Sequence, residues 1–254
     1  MKKTAYLIII SILTIGCIIF GTFYHTKNIS FGSIRKIFNG GGINFQFSYD
    51  DWDISVDTDD DVGNSKEIKG SFSRAVENFS SIDIDANVMA LEIVEGSEYK
   101  VECSYNREYL KPTVEVKNGE LRILQRMPKR TKGNNNAKAK IYIPSDASLD
   151  KIDIDLNVGE IKILNIEASK CDIDNNVGEV RLRNVDIDDI DVSTNVGEIN
   201  ISVNDNLDDY RIDVSTDVGA VKVDGQSYKR SYSSRGNGKK KLDAKSNVGE
   251  ITIN

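Results

Sequence analysis

From residue 81 onward, apolar and polar residues alternate in short runs, and the phase of the alternation flips at a fixed place. In "KIDIDLNVGEIKI" (151–163), Ile152, Ile154, Leu156 and Val158 hold even positions, whereas Ile161 and Ile163 hold odd ones. Successive side chains of a strand point to opposite faces, so one face stays buried through the flip only if the chain bends between Val158 and Ile161. The pattern predicts a longer strand, a corner at Gly159, a shorter strand and a return loop. Five more segments repeat it: "SIDIDANVMALEI" (81–93), "KCDIDNNVGEVRL" (170–182), "DIDVSTNVGEINI" (189–201), "RIDVSTDVGAVKV" (211–223) and "KLDAKSNVGEITI" (241–253). The last five copies are spaced by 19, 19, 22 and 30 residues. An interval of that length marks a solenoid, in which each repeat buries its apolar face against its neighbours.

Stacked coils bring equivalent positions about 4.8 Å apart. Gly159, Gly178, Gly197, Gly219 and Gly249 then form the corners, where glycine tolerates backbone angles closed to other residues. Asn157, Asn176, Asn195, Asp217 and Asn247 form a column beside the corner that can pass side-chain hydrogen bonds along the stack. Asp83, Asp153, Asp172, Asp191, Asp213 and Asp243 line up on the outward face. This column, with Asp153, Asp172, Asp191 and Asp213 at its centre, is the candidate cation ladder, because hard cations take carboxylate oxygens. Stacked carboxylates repel by only ~0.9 kcal/mol per pair in water. Lys151, Lys170, Arg211 and Lys241 stand two residues upstream on the same face, so a compensated, solvated surface is the expected state. Glu in "NVGEI" is expected to stay in water.

Between the first two copies, residues 94–150 read as an insertion of antiparallel character. "TVEVKNGELRILQ" is two strands about Asn118 and Gly119, a strong hairpin signal. The basic segment "GQSYKRSYSSRGNGKKK" (225–241) reads as a solvated loop before a capping strand, with contact to anionic wall polymer or lipid head groups as the alternative. Residues 25–69 read as a juxtamembrane linker with short strands, in which Phe45, Phe47 and Tyr49 alternate near Trp52. "DTDDDVGN" lacks the glycine and bidentate glutamate of a calcium loop, since Val62 and Ile68 stand in those places.

Residues 1–24 contain an uncharged run from Thr4 to Tyr24, long enough for a bilayer core of about 30 Å. No A-x-A site follows it, so an uncleaved signal anchor is expected over a cleaved signal peptide, and Lys2 and Lys3 place the N-terminus in the cytoplasm. Cys17 fits a lipid-attachment box poorly, with Thr14 where Leu is usual. Residues 70–254 are then the extracellular domain. Without the two lysines the chain has 31 basic and 40 acidic residues, a net charge of −9, which argues against nucleic-acid binding. Cys103 and Cys171 alternate with apolar neighbours and read as buried free thiols.

The lone histidine, His25, removes Ser-His triads and histidine metal sites from residues 70–254. Carboxylate chemistry remains possible, but the aspartates follow the structural period, and an enzyme is not expected. No catalytic residue, cofactor site or cofactor is assigned.

The order "FSSIDIDANVMALEI", "TVEVKNGELRILQ", "IYIPSDASLDKIDIDLNVGEIKI" and serial "NVGEI" coils resembles the bacterial putative-adhesin family, which includes LiaG-like cell-envelope proteins of Gram-positive bacteria. The resemblance covers about residues 70–254. It implies a right-handed parallel β-solenoid, an extracytoplasmic location and a link to adhesion or envelope stress. The expected protein is all-β: five to six coils with an antiparallel hairpin insertion, preceded by one transmembrane helix. Its expected role is non-enzymatic adhesion or envelope interaction, with the membrane, a cell-wall polymer or another envelope protein as partner. The alternatives are an accessory of an envelope-stress response that contacts a membrane sensor, and a carbohydrate-active enzyme.

Overall fold

The computed structural model describes residues 43–47, 54–58, 70–128, 135–235 and 238–254. The segment read as a membrane anchor lies outside these, as do the side chains of Phe45, Phe47, Tyr49 and Trp52. No helix among the described residues is long and apolar enough to cross a membrane. Strands β1 (Ile43–Phe47) and β2 (Ile54–Thr58) pair antiparallel with each other.

The remaining strands follow in chain order. They are β3 (Gly70–Ala75), β4 (Ser81–Val88), β5 (Ala90–Gly96), β6 (Lys100–Tyr105), β7 (Thr113–Lys117), β8 (Glu120–Gln125) and β9 (Ala137–Pro144). Next come β10 (Ser148–Val158), β11 (Ile161–Leu164), β12 (Glu167–Val177), β13 (Val180–Val196) and β14 (Ile199–Val203). The last are β15 (Tyr210–Val218), β16 (Val221–Val223), β17 (Gln226–Tyr228), β18 (Ser231–Ser234), β19 (Lys240–Val248) and β20 (Ile251–Ile253). Each copy of the repeat is one long and one short strand on either side of its corner. Copies stack in parallel and in register, so that Ile152 pairs with Cys171 and Ile161 with Val180.

Two parallel walls result, and the inward residues of both, among them Ile154, Ile173, Val192, Ile163, Leu182 and Ile201, form one buried core. Residues at the return turns adopt left-handed backbone angles, as at Asn165 (φ 56°) and Asn184 (φ 52°), where asparagine is the side chain that best tolerates them. The β7–β8 hairpin turns through Asn118 (φ 53°) and Gly119 (φ 78°).

Seven coils are present among the described residues, not five to six. Strand β8 pairs in parallel with β4, and β9 pairs in parallel with β5. The insertion is therefore half cap and half coil: Leu121 and Ile123 stand beside Ile82 and Ile84 and extend the same core. Strands β7, β6 and β3 close this end with antiparallel pairs.

The other end corrects a further expectation. The final copy is not the cap. Strand β19 lies between β13 and β15, and β20 lies between β14 and β16. The chain runs past one coil position, builds the outermost coil from residues 211–223, and returns to fill the gap with residues 240–253. The segment expected to be a loop forms the cap itself. Asp224 (φ 48°) and Gly225 (φ 71°) turn β16 into β17, and β18 pairs antiparallel with β15. Both the first and last copies in the chain are thus one coil inside the stack, so the unpaired edges of the sheet are covered by antiparallel strands.

Candidate functional site

The corner is the most regular feature, and its glycines are there for close approach. A Cβ placed on Gly178 would lie 1.8 Å from the carbonyl oxygen of Gly159, and one on Gly197 would lie 1.8 Å from that of Gly178. Gly159 against Met89 (1.8 Å), Gly249 against Gly197 (1.8 Å) and Gly219 against Gly249 (1.9 Å) are alike. Backbone angle is not the shared cause, because Gly197 meets the same contact without a positive φ and the φ of Gly159, Gly219 and Gly249 is close to extended, while Gly178 (φ 136°) carries both constraints. Met89 fills the glycine place in the first copy, and the neighbouring coil there has no tight corner, since β8 ends at Gln125 and β9 begins at Ala137.

Outside the corner, the Asn176 amide donates to Asn157 Oδ1 (2.8 Å), Asn195 to Asn176 (2.6 Å) and Asn247 to Asn195 (2.8 Å). Asp217 stands next to Asn247 at the end of this column, where no further N–H has to be passed on. Inside the corner runs a second polar column that the alternation alone does not announce. Its members Asn175, Thr194, Ser246 and Thr216 are buried. Asn175 Nδ2 donates to Gly159 O (3.1 Å), and the hydroxyls of Ser246 and Thr216 donate to Gly197 O (3.3 Å) and Gly249 O (3.0 Å). Gln125 performs this service at the end of the stack, accepting from the Asn87 and Val88 amides and donating to Val88 O and Leu110 O.

Asn175 Oδ1 is buried without a partner. We expect Asn175→Thr to stabilise the domain by about 1 kcal/mol, because threonine keeps the bond to the corner carbonyl and removes the orphan acceptor. Chemical denaturation of the two proteins checks this, and a lower midpoint for the variant would refute it.

The outward aspartates form a column in the spatial order Asp83, Asp153, Asp172, Asp191, Asp243, Asp213. Cations interleave with them: Arg122 with Asp83 (2.8 Å), Lys151 with Asp153, Lys170 with Asp172 (3.4 Å), and Lys241 with Asp243 (2.9 Å) and Asp191 (3.9 Å). A second acidic column, Asp85, Asp155 and Asp174, runs beside it, and the doubled "DID" of the first three copies was its signal in the sequence. Burial, then Asp174, Asp153 and Asp85, push the Asp155 carboxyl up. Among the described residues no three His, Cys, Asp or Glu side chains come together as a set able to hold a metal ion.

Glu160, Glu179 and Glu198 are drawn back from water, whereas the Glu250 side chain stays 40% exposed. Glu160 and Lys162 pair at 2.8 Å with side chains only 14% exposed, and Arg181 bridges Glu179 to Glu160. In the next coil Asn200 replaces the cation, so Glu198 lies between Glu179 and Glu250 without its own counter-charge. Burial, followed by those two glutamates, raises its carboxyl above the usual range. A carboxyl raised in the folded state holds its proton better than the unfolded chain does. Its favourable contribution is complete below the unfolded pKa and is lost as pH rises through the folded one. Glu198→Gln should therefore raise stability at pH 7 by about 0.5 kcal/mol, the scale of a like-charge pair across strands. The gain should vanish near pH 4, and thermal melts at the two pH values test it.

Cys103 and Cys171 are buried free thiols, and burial pushes the Cys103 thiol up to about 12. At the capped end, Tyr210 is wholly buried and donates to Ile187 O (2.9 Å), while Lys240 is held by Asp186, Asp188 and Asp205. The rings of Tyr228 and Tyr232 meet at 4.7 Å and tie β17 to β18. Lys229, Arg230, Arg235 and Lys239 are exposed around this hairpin.

Known proteins place this arrangement. No curated protein sequence matches the chain. A solved structure from Clostridium sporogenes, described as a putative cell adhesion protein, is similar over 74% of this chain and 99% of its own, with 22% identity and a TM-score of 0.53. A putative adhesin from Bacteroides fragilis is 14% identical over 74% of this chain and 98% of its own, with a TM-score of 0.34. Residues 79–202 match the Toastrack DUF4097 family. The match takes in the first four copies of the repeat and the corners between their strands, so that over these residues the chain is similar to a Toastrack DUF4097 domain.

Proposed function

We propose that the chain is a single-pass protein of the cell membrane whose solenoid, residues 70–254, lies outside and serves as a non-enzymatic module for adhesion or cell-envelope interaction. The observation that carries this reading is the regularity of the surface: most acids of the two walls follow the coil period, and cations of the same or an adjoining coil stand among them. Hydrolysis by carboxylates needs two in unlike environments facing a shared cleft. The raised carboxyls here, Asp155, Asp191 and Glu198, owe their shifts first to burial and belong to the stacked columns. Of two open grooves, the one of about 520 Å³ beside Val76, Tyr99 and Pro144 is lined by Glu98 and Asp146, and the one of about 510 Å³ beside Phe72 and Ala139 by Glu92 and Glu102, each of these two glutamates paired with a lysine. The apolar run Thr4–Tyr24 supplies the anchor, and the likeness in fold to a structure described as a cell adhesion protein agrees with the role.

Protease added to intact cells that express the full chain should remove the solenoid, and cells lacking the chain should attach less well to their surface. Protection of the solenoid until the cells are lysed would overturn the reading. Release of reducing or unsaturated sugar ends by the purified chain, abolished by one Asp→Ala change, would replace it with an enzyme.

A further inference from the structure

We propose that the cap hairpin at the C-terminal end of the stack binds a linear polyanion whose charges are phosphate groups repeated along its length. The proposal deepens the envelope-module reading and names a surface and a ligand chemistry for it. Residues 226–239 contain four basic residues and no acidic one, in a chain of net charge −7. On the coil walls, Lys151, Lys170, Lys162, Arg181 and Lys241 each pair with carboxylates. Lys229, Arg230, Arg235 and Lys239 are exposed and form no such pair among the described residues, so their charge is available to a ligand.

Their placement selects an extended ligand. Strand β18 pairs with β15 on one edge, and its other edge pairs with no described strand. Arg230 precedes the strand and Arg235 follows it, up to about 16 Å apart at the rise of an extended chain. That span exceeds one phosphate and suits several in a row. Ser231 and Ser233 are exposed along the strand between them and add hydroxyl donors. Arginine forks match phosphate oxygens in pairs, which favours phosphate over isolated carboxylates. Asp213, across from Ser233, Asp224, in the turn, Asp217, which follows the Thr216 bonded to Arg230 O, and Asp209, against Gly238, are acids near the site and limit it to the strip along the outer edge.

A membrane surface fits less well. Interfacial binding needs apolar side chains to enter the head-group region. Tyr228 and Tyr232 instead pack against the core, and the exposed residues of the cap are Ser, Lys and Arg with Asp224, Gln226 and glycines, none of them a large apolar side chain.

The test uses the full chain in a neutral detergent and fluorescently labelled linear polyphosphate, read by anisotropy. Binding should be saturable and should weaken about 50-fold between 50 and 200 mM salt, if four charges each contribute about −0.7 to the slope found for single-stranded polyanions. A K229S/R230S/R235S/K239S variant should lose at least tenfold in affinity while its melting temperature stays within a degree of the parent. A control of equal charge, K111S/K117S/R126S/R183S, should stay within twofold. Absence of binding by the parent chain would overturn the proposal, as would equal losses in the two variants, which would show a response to net charge alone. Binding to phosphatidylglycerol vesicles without binding to polyphosphate would also overturn it, in favour of a lipid surface. Any of these failures leaves the protease and attachment results on whole cells untouched, so the two readings fail separately.

Discussion

A chain ending at Gly238 is expected to lose cooperative folding of the whole solenoid, although it lacks only the final 16 residues. In a stack built in chain order, removing the last repeat trims an edge and leaves the rest intact. Here the last repeat is interior. Strands β19 and β20 supply the parallel partners of both β13–β14 and β15–β16. Without them the coil of residues 211–223 and its cap have no parallel neighbour, and β13 and β14 present an open edge. Leu242, Ile251 and Ile253 are fully buried, and losing these three alone removes about 6 kcal/mol of apolar burial. A domain has ~5–15 kcal/mol in total. Melting by circular dichroism and hydrogen exchange over residues 148–203 should therefore show both broad loss of the transition and loss of protection. Leu242→Asp is the point-mutant version and should give the same result through a buried, unpaired charge. A sharp transition near the parent temperature in the truncated chain would mean that β19–β20 is an accessory to the stack.

The second large effect is expected at the corner. Gly178→Ala adds a single methyl group, yet its carbon would stand 1.8 Å from Gly159 O, a backbone atom that moves only if the coils separate. We expect a loss of about 3 kcal/mol, at the upper end of overpacking costs. In a domain of this size that is roughly 9 °C in melting temperature. Gly119→Ala is the matched comparison. Gly119 has φ +78° but open space around its Cβ position, so only backbone strain applies, about 1 kcal/mol. Gly178 also has φ 136°, so Gly197→Ala, whose added carbon would stand 1.8 Å from Gly178 O at a residue without a positive φ, separates the two causes and should lose as much; if it melted with Gly119→Ala, close packing of the coils would not be the reason for the glycines.

This contrast shows how far residue patterns carry. The alternation of Ile152 and Ile154 against Ile161 and Ile163 locates a bend, and glycine is the residue that suits a bend. Which property of glycine is needed depends on what lies against it, and the Gly159 carbonyl comes from a different coil. The covered glutamates are a similar case. "GEI" places Glu160 on an outward face, but its low exposure comes from Lys162 of its own coil and Arg181 of the next lying over it. The Asp224-Gly225 turn was as legible as Asn118-Gly119, since both are two-residue turns of the same kind between alternating runs. The coil made by β8 and β9 was also readable, because Leu121 and Ile123 repeat the inward spacing of Ile82 and Ile84. The buried Asn175, Thr194, Ser246 and Thr216 were harder to assign, as small polar residues next to a turn suit solvent equally well.

What the sequence determined by itself is the unit: a long strand, a tight corner, a short strand, the residues that face inward and the asparagine column. These follow from local sterics and from the two-residue period of a strand, which act within one repeat. What only the tertiary structure decided is the order in which the units stack. Every coil offers its neighbours nearly the same apolar ladder and the same backbone hydrogen bonds, so no local pattern tells residues 189–201 whether to pair with 211–223 or with 241–253. The choice lies in the connections. The return turns at Asn165 and Asn184 are short and hold successive coils side by side, whereas residues 204–209 are long enough to pass one coil position and residues 224–239 long enough to come back to it.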